Sequence, residues 1–505
     1  MTLLKSLLVF LPSLALGLIT VWHFWPANWR RAWPLILSVS IPVGLGLSSL
    51  LYFFWCLLAG PARPGFLILE LVLIATGGVF CWKIHRNSSR TLSFALAPLG
   101  PKGTSAQHPT ASASDAARAE LAHVLVGTHA AVPPKPTKLS WALTALLVLL
   151  AATAGAYFLI YTRYAPNGSF DAYAFWNLKA RFIFRDPANW QAAFSPLLSW
   201  EFHPDYPILL SLNTALGWFQ VGSETPYVPA VQAALFTLAC AGLLWSALQA
   251  LRGWSQAALA ALALLSTPLF MLVGVWQLAD VPLATMVLAT CILISLHFLH
   301  PDEKRGFLTL AGLTAGLAAW TKNEGLLFLA LISLLLLVFS LRGREDKRQG
   351  LKELLSYGLG LLLPLAALLI LKLAFAPAND LIGSRSPAEL SALLFDPQRW
   401  RLTFRLMAAE AGSFGHSFFT VWLLPLAYLL LAGRRPLEDS HRQVLRFWVT
   451  AFILLLAGYF VTYLITPHPL EWHVTHSVER LYLHIYPAVL WLVFLVSRAP
   501  EEWKM

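Results

Sequence analysis

The run Gly325-Leu-Leu-Phe-Leu-Ala-Leu-Ile-Ser-Leu-Leu-Leu-Leu-Val-Phe-Ser-Leu341 carries no charged side chain, and its reading decides the class of fold. A stretch of about 20 apolar residues is what a helix needs to cross a hydrocarbon layer about 30 Å thick. Its two flanks differ. Thr321-Lys322-Asn323-Glu324 precede it, whereas Arg342, Arg344, Lys347 and Arg348 follow it. Basic loops stay on the cytoplasmic side, so the arginine end points inward, and Lys322 and Glu324 are expected on the outer face.

Comparable runs occupy residues 4–25, 33–58, 64–84, 139–161, 226–250, 255–275, 280–299, 306–320, 353–375, 417–433, 444–465 and 481–498. Of 505 residues 58% are hydrophobic and 12% charged, with a mean hydropathy of +0.65, too apolar for a soluble enzyme. The expectation is an all-α polytopic integral membrane protein with about 13 transmembrane helices. Its net charge of +11 sits in short loops between apolar runs, which speaks for topology and lipid headgroups and against a nucleic-acid face. Cys56, Cys81, Cys240 and Cys291 lie inside apolar runs without paired spacing, as small buried residues and neither disulfides nor metal ligands. The first run lacks a clear small-residue cleavage site and further spans follow it, so it reads as a span.

The segment 207–220 is apolar but, at about 14 residues, short for a crossing. Were it to cross, the basic bias of every later loop would largely reverse, so a re-entrant or interfacial course is expected. The N-terminus then lies outside and the C-terminus in the cytoplasm. Asp171, His203, Asp280, Lys322, Glu324 and Arg480 fall on one face. The chain divides into a three-span segment 1–84, an Ala/Ser/Pro-rich cytoplasmic linker 85–138 with one short helix around Asp115–Val126, a membrane core 139–376, and an external loop with C-terminal helices at 377–505.

Directly after the span 139–161 comes Ser169-Phe-Asp-Ala-Tyr-Ala-Phe-Trp-Asn-Leu-Lys-Ala-Arg181. Ser169 has the chemistry of an N-cap, and Phe175, Leu178 and Phe182 recur at helical spacing, as in a helix lying along the membrane surface. Asp171 has two readings. It is a first-turn carboxylate complementing the helix dipole, or a general base that takes the proton of a sugar-acceptor hydroxyl as the anomeric carbon is attacked. Lys179 falls roughly 80° around a regular helix from Asp171, so it faces a phosphate and not that acid; Arg181 reads as a headgroup contact.

The order of motifs is more specific than any one of them. An acid after the first core span is followed by Glu201-Phe-His203-Pro, by Leu278-Ala-Asp280-Val-Pro-Leu-Ala284, and by Gly316-Leu-Ala-Ala-Trp-Thr-Lys322. Over roughly residues 139–340 this resembles the GT-C superfamily, and within it the protein O-mannosyltransferases and lipid A aminoarabinose transferases. The resemblance implies a GT-C-like core with interfacial helices in its first external loop. It also implies a polyprenyl- or dolichyl-phosphate sugar donor, and transfer on the extracytoplasmic side, generally with inversion. It puts Asp171 at the catalytic acid, with Ala172 where relatives often carry a second acid, and Asp280 at a further acid beside the cavity. His203, with Glu201 beside it, takes the place of a basic or His residue near the carrier phosphate. Lys322 and Glu324 stand where the family has Thr-Lys-Gly, here interrupted before Gly325, and Asp205 departs from a commoner Pro. Asp280 before Val-Pro282 equally reads as a helix start, and Lys322 as part of a plain hairpin turn.

His476, Arg480 and His484 share one helix face. Arg480 there either neutralises the carrier phosphate or snorkels to the interface; His476 joins it as a substrate contact. His468, His473, Glu471 and Glu479 have no spacing of a tight metal site. No metal is expected, and no cofactor beyond the lipid-linked donor. Arg385, Arg399, Arg401 and Arg405 read as a solvated or headgroup-facing surface. Trp176, Trp190, Trp200, Trp276, Trp320, Trp400 and Trp472 suit aromatic belts, one or two of them able to stack on a sugar. Lys372 and Glu70 are charges inside spans without an evident partner. The expected function is therefore transfer of a sugar from a polyprenyl-phosphate carrier to an acceptor hydroxyl, the acceptor (lipid, glycan or protein) being open. The rivals are a transporter or flippase for a lipid-linked or anionic substrate, whose charges would lie near the midplane, and a non-catalytic subunit of an envelope-assembly complex. The sequon Asn167-Gly-Ser169 would set a glycan beside the proposed base. That favours a bacterial inner membrane, with the active site on the periplasmic or extracellular face.

Overall fold

The computed structural model describes residues 2–62, 65–95, 137–198, 202–301, 305–342, 347–383 and 385–504. Over these residues the chain is helical, apart from loops and an isolated bridge between Arg434 and Ser497. Among the described residues nine helices are long and apolar enough to cross a membrane, or up to ten if the bent pair Trp254–Leu265 and Pro268–Val275, which meet at 65°, is one span. The break falls where Pro268 opens the second helix, since a proline has no N–H to continue the first ladder. Three shorter apolar helices, Gly65–Cys81, Gly306–Thr321 and Leu423–Ala432, account for the remaining predicted spans. The helix beginning at Gly65 runs on to Ala95, past the expected end at 84; the helix expected around Asp115–Val126 lies outside the described residues.

The segment expected not to cross forms the helix Leu209–Val221, 13 residues long and almost wholly buried, ending at Gly222 in the left-handed conformation (φ 85°). At 1.5 Å per residue it spans about 20 Å, short of the hydrocarbon thickness.

The centre of the molecule is the helix Asp280–Leu299, whose apolar window is entirely buried. It packs on Gly306–Thr321, Leu470–Val496 and Tyr227–Arg252. Small residues let backbones approach: a Cβ on Gly312 would lie 2.0 Å from the Tyr357 carbonyl oxygen, and one on Gly360 would lie 1.8 Å from that of Thr309. The N-terminal helix Trp33–Leu58 is part of this core. Ser49 Oγ accepts from the Trp320 indole at 3.0 Å, and the Leu45 carbonyl accepts from Asn213 at 3.0 Å. By contrast, the apolar window of Lys138–Tyr164 has no buried residue.

Two sequence expectations are corrected here. Glu70 has a partner within its span, since Ser13 Oγ lies 3.5 Å from its carboxylate. Two arginines of the external cluster are not a headgroup surface: Arg399 donates to the Leu464 and Tyr463 carbonyls at 2.9 and 3.3 Å, and Arg385 to those of Ile465 and Thr466, both at 3.1 Å. Together they satisfy the open carbonyls at the C-terminus of the helix Asp439–Leu464.

Candidate active site

The loop after the helix Lys138–Tyr164 is stitched to the segment ahead of Asp280. Ser169 N–H donates to the Trp276 carbonyl at 3.2 Å, and the Gln277 side chain donates to the Pro166 carbonyl at 3.2 Å. Gly168 makes the turn at φ 72°, where a Cβ would stand 2.5 Å from that Trp276 oxygen. These contacts bring Asp171, in the first turn after the loop, beside Asp280 at the head of its helix.

Helix Leu470–Val496 supplies the cation between them. Arg480 pairs with the Asp171 carboxylate and lies 3.9 Å from Asp280 Oδ2. Asp280 Oδ1 accepts from Lys322 Nζ at 2.9 Å and from His484 Nε2 at 2.8 Å. Lys322, at the break between the helices Gly306–Thr321 and Asn323–Arg342, also meets Glu324 at 2.7 Å. The two acids differ in access: the Asp171 side chain is 23% exposed, that of Asp280 2%. Asp280 is a buried hub among cations, and Asp171 is the carboxylate open to solvent and substrate.

All of these groups except His484 border one cavity of about 920 Å³, with Phe175, Trp176, Tyr206, Trp276 and Tyr463 among its apolar walls. A second polar cluster lines it through Asn323, Lys372 and Asn379, held by the buried Asp205, whose Oδ2 accepts from Asn323 at 2.7 Å and from Asn379 at 2.8 Å. Lys372 belongs here, which corrects its reading as a charge without a partner. Its ammonium donates to the Asp205 carbonyl at 2.5 Å and to Asn323 Oδ1 at 2.8 Å. Lys372 projects from a π-helical turn, Leu371–Phe375, and a second π turn, Ala172–Trp176, follows Asp171. Single π turns are frequent at functional sites, and both border this cavity.

His203 reaches the cavity, but not as a cation. Its backbone is left-handed (φ 43°), and its ring stacks on Tyr206 at 4.3 Å and meets Phe175 edge-on at 4.7 Å. Burial, reinforced by Lys179, Lys322 and Arg480, pushes the imidazole down to about 3. The neutral ring offers hydrogen bonds and no charge to a phosphate. Lys179 does not border the cavity; it is buried, and its ammonium donates to the His203 carbonyl at 2.6 Å. Burial pushes it down to about 7, against the upward pull of Asp205. Glu201 lies outside the described residues. His476 and Glu324 line the cavity, His476 stacked on Trp472 with centroids 5.3 Å apart.

The Lys179 shift has a measurable consequence. Between about pH 7 and its ordinary 10.5 the unfolded chain binds this proton and the folded chain does not, so stability rises with pH across that window. Thermal unfolding in detergent between pH 6.5 and 9.5 is expected to show that rise, and Lys179→Met to flatten it. An unchanged slope in the variant would remove Lys179 as its source.

Residues 207–371 match the family model of dolichyl-phosphate-mannose-protein mannosyltransferase. The matched stretch is similar to a family of membrane mannosyltransferases. No curated protein and no solved structure matches the chain. The match contains Asp280, Lys322 and Glu324, and the fold of the chain brings to them Asp171 and Arg480 from outside it. Sequence reasoning missed Asn323, Asn379 and Asp380, which have no signature of their own. Asp380 is oriented by His468, 3.0 Å away, at the cavity wall.

Proposed function

We propose that this membrane glycosyltransferase moves a sugar from a polyprenyl-phosphate carrier to an acceptor hydroxyl on the extracytoplasmic face, with inversion at the anomeric carbon. The observation that carries the reading is the shared arginine: Arg480 bridges the open carboxylate of Asp171 and the buried one of Asp280 on the wall of a cavity large enough for a ligand. The phosphodiester of the arriving polyprenyl-phosphate sugar competes with Asp171 for that guanidinium and releases the carboxylate as a base. The acceptor O–H proton passes to Asp171. The acceptor oxygen bonds to C1 from the face opposite the phosphate, and the C1–O bond breaks. Its electron pair leaves on polyprenyl phosphate, whose charge Arg480 and Lys322 neutralise. His203, neutral, contributes a hydrogen bond.

The test is turnover of radiolabelled polyprenyl-phosphate sugars by the purified protein in liposomes, with the anomeric configuration of the product read by NMR. Product of opposite configuration to the donor is expected; retention would remove the single-displacement step. Because two fixed cations can neutralise a monophosphate leaving group, EDTA is expected to leave the rate unchanged. A loss restored by a divalent cation would overturn that part of the scheme.

A further inference from the structure

The helix Leu470–Val496 carries more than Arg480. Trp472, His476, Arg480 and His484 follow at successive intervals of four and form one ladder, of which the first three line the cavity. Its lower rungs are the Asp171–Arg480 pair and the His484–Asp280 contact. Its upper rung is built differently. Trp472 is 45% exposed, and its ring lies within 28° of parallel to His476 and edge-on to His468 at 6.0 Å. The His476 ring is itself fixed, because Nδ1 donates to the Trp472 carbonyl at 2.8 Å. That leaves Nε2 as the hydrogen-bond acceptor. His473, Thr475, His476 and Glu479, the last held by His416 at 2.6 Å, line the same cavity as Trp472.

A pyranose ring has an apolar C–H face and a rim of hydroxyls. A fixed indole beside acceptor oxygens and an imidazole nitrogen matches both, and a prefixed ring loses little freedom on binding. Resting on the glycosyl transfer proposed above, we infer that the acceptor is itself a carbohydrate, and that Trp472 and His476 form the platform that holds one of its rings. Eight residues separate Trp472 from Arg480, about 12 Å of helix. A ring on the platform therefore sits above the transfer point, and the attacking hydroxyl belongs to a ring deeper along the same chain. The acceptor is an oligosaccharide, either free or carried on a lipid.

The experiment uses the full-length protein in liposomes with the polyprenyl-phosphate sugar that supports turnover. Hexose oligosaccharides of one to four rings are offered free and attached to a decyl chain, beside a Ser/Thr peptide. Oligosaccharides are expected to accept and the peptide not, with the free and decyl arms separating a soluble from a lipid-borne source. Trp472→Ala is expected to raise the oligosaccharide KM about tenfold, with kcat and donor KM within about twofold, and Trp472→Phe to recover part of the loss. An unchanged acceptor KM in a monodisperse Trp472→Ala, or transfer to the peptide alone, overturns the inference and leaves the transferase standing. No consumption of any donor removes the proposed function, and this inference with it.

Discussion

Asp171→Asn is expected to lower sugar transfer by about 10²- to 10⁴-fold, the usual worth of a positioned general base, while the protein stays folded. The substitution keeps the shape of the side chain and one oxygen for Arg480. Arg480 also keeps Asp280, 3.9 Å away, as a second anion. The donor KM is therefore expected to move by only a few fold, with the loss concentrated in kcat, as for an interaction made mainly in the transition state. Asp171→Glu, which restores the base on a longer arm, is expected to recover part of the rate. The comparison requires both variants to elute as monodisperse species in size exclusion. Wild-type kcat in a folded Asp171→Asn would take Asp171 out of the mechanism and return it to the dipole-complementing role that its place in a first turn allows.

The charges of the site were legible because a hydrophobic chain makes them conspicuous. Asp171, Asp280, Lys322 and Arg480 each stand at or near an apolar run, where an ionisable group has a cost and therefore a reason. Their pairing was not legible: Asp171 and Arg480 are separated by 309 positions, and only the packing of the last helix against the first external loop joins them. Lys372 was conspicuous in the same way, yet its partners come from elsewhere in the chain, Asp205 from a loop and Asn323 from the head of the helix Asn323–Arg342. Lys179 was placed by assuming 3.6 residues per turn. The π turn Ala172–Trp176 breaks that count ahead of it, and the lysine ends beneath His203 rather than facing the cavity. His203 reads in sequence as a basic residue before proline. The burial and the neighbouring cations Lys179, Lys322 and Arg480 that lower its basicity are brought there by folding, as are the rings of Phe175 and Tyr206 against it.

Asp280→Ala is expected to have the largest effect on stability of any single change in the site, about 3–5 kcal/mol, the cost of removing one partner from a buried charge cluster. The carboxylate faces Lys322 at 2.9 Å, His484 at 2.8 Å and Arg480 at 3.9 Å, in a pocket that leaves it 2% exposed. Its removal leaves three donors around one small void, with the remaining negative charge displaced to Glu324 and Asp171 at the edges. Asp280→Asn is the milder case. It keeps an acceptor oxygen for His484, and Lys322 and Arg480 each retain their other carboxylate, so this variant is expected to fold with a lowered melting temperature. If uncompensated charge is the cause, Asp280→Asn combined with Lys322→Met should be more stable than Asp280→Asn alone, a coupling that additive effects would not give. Thermal unfolding of the purified variants in detergent measures all three. An Asp280→Ala protein that melts within about 2 °C of wild type, well short of the shift expected for such a loss, would mean that the cluster rearranges around the missing carboxylate. Asp280 would then be one acid among several and not the hub.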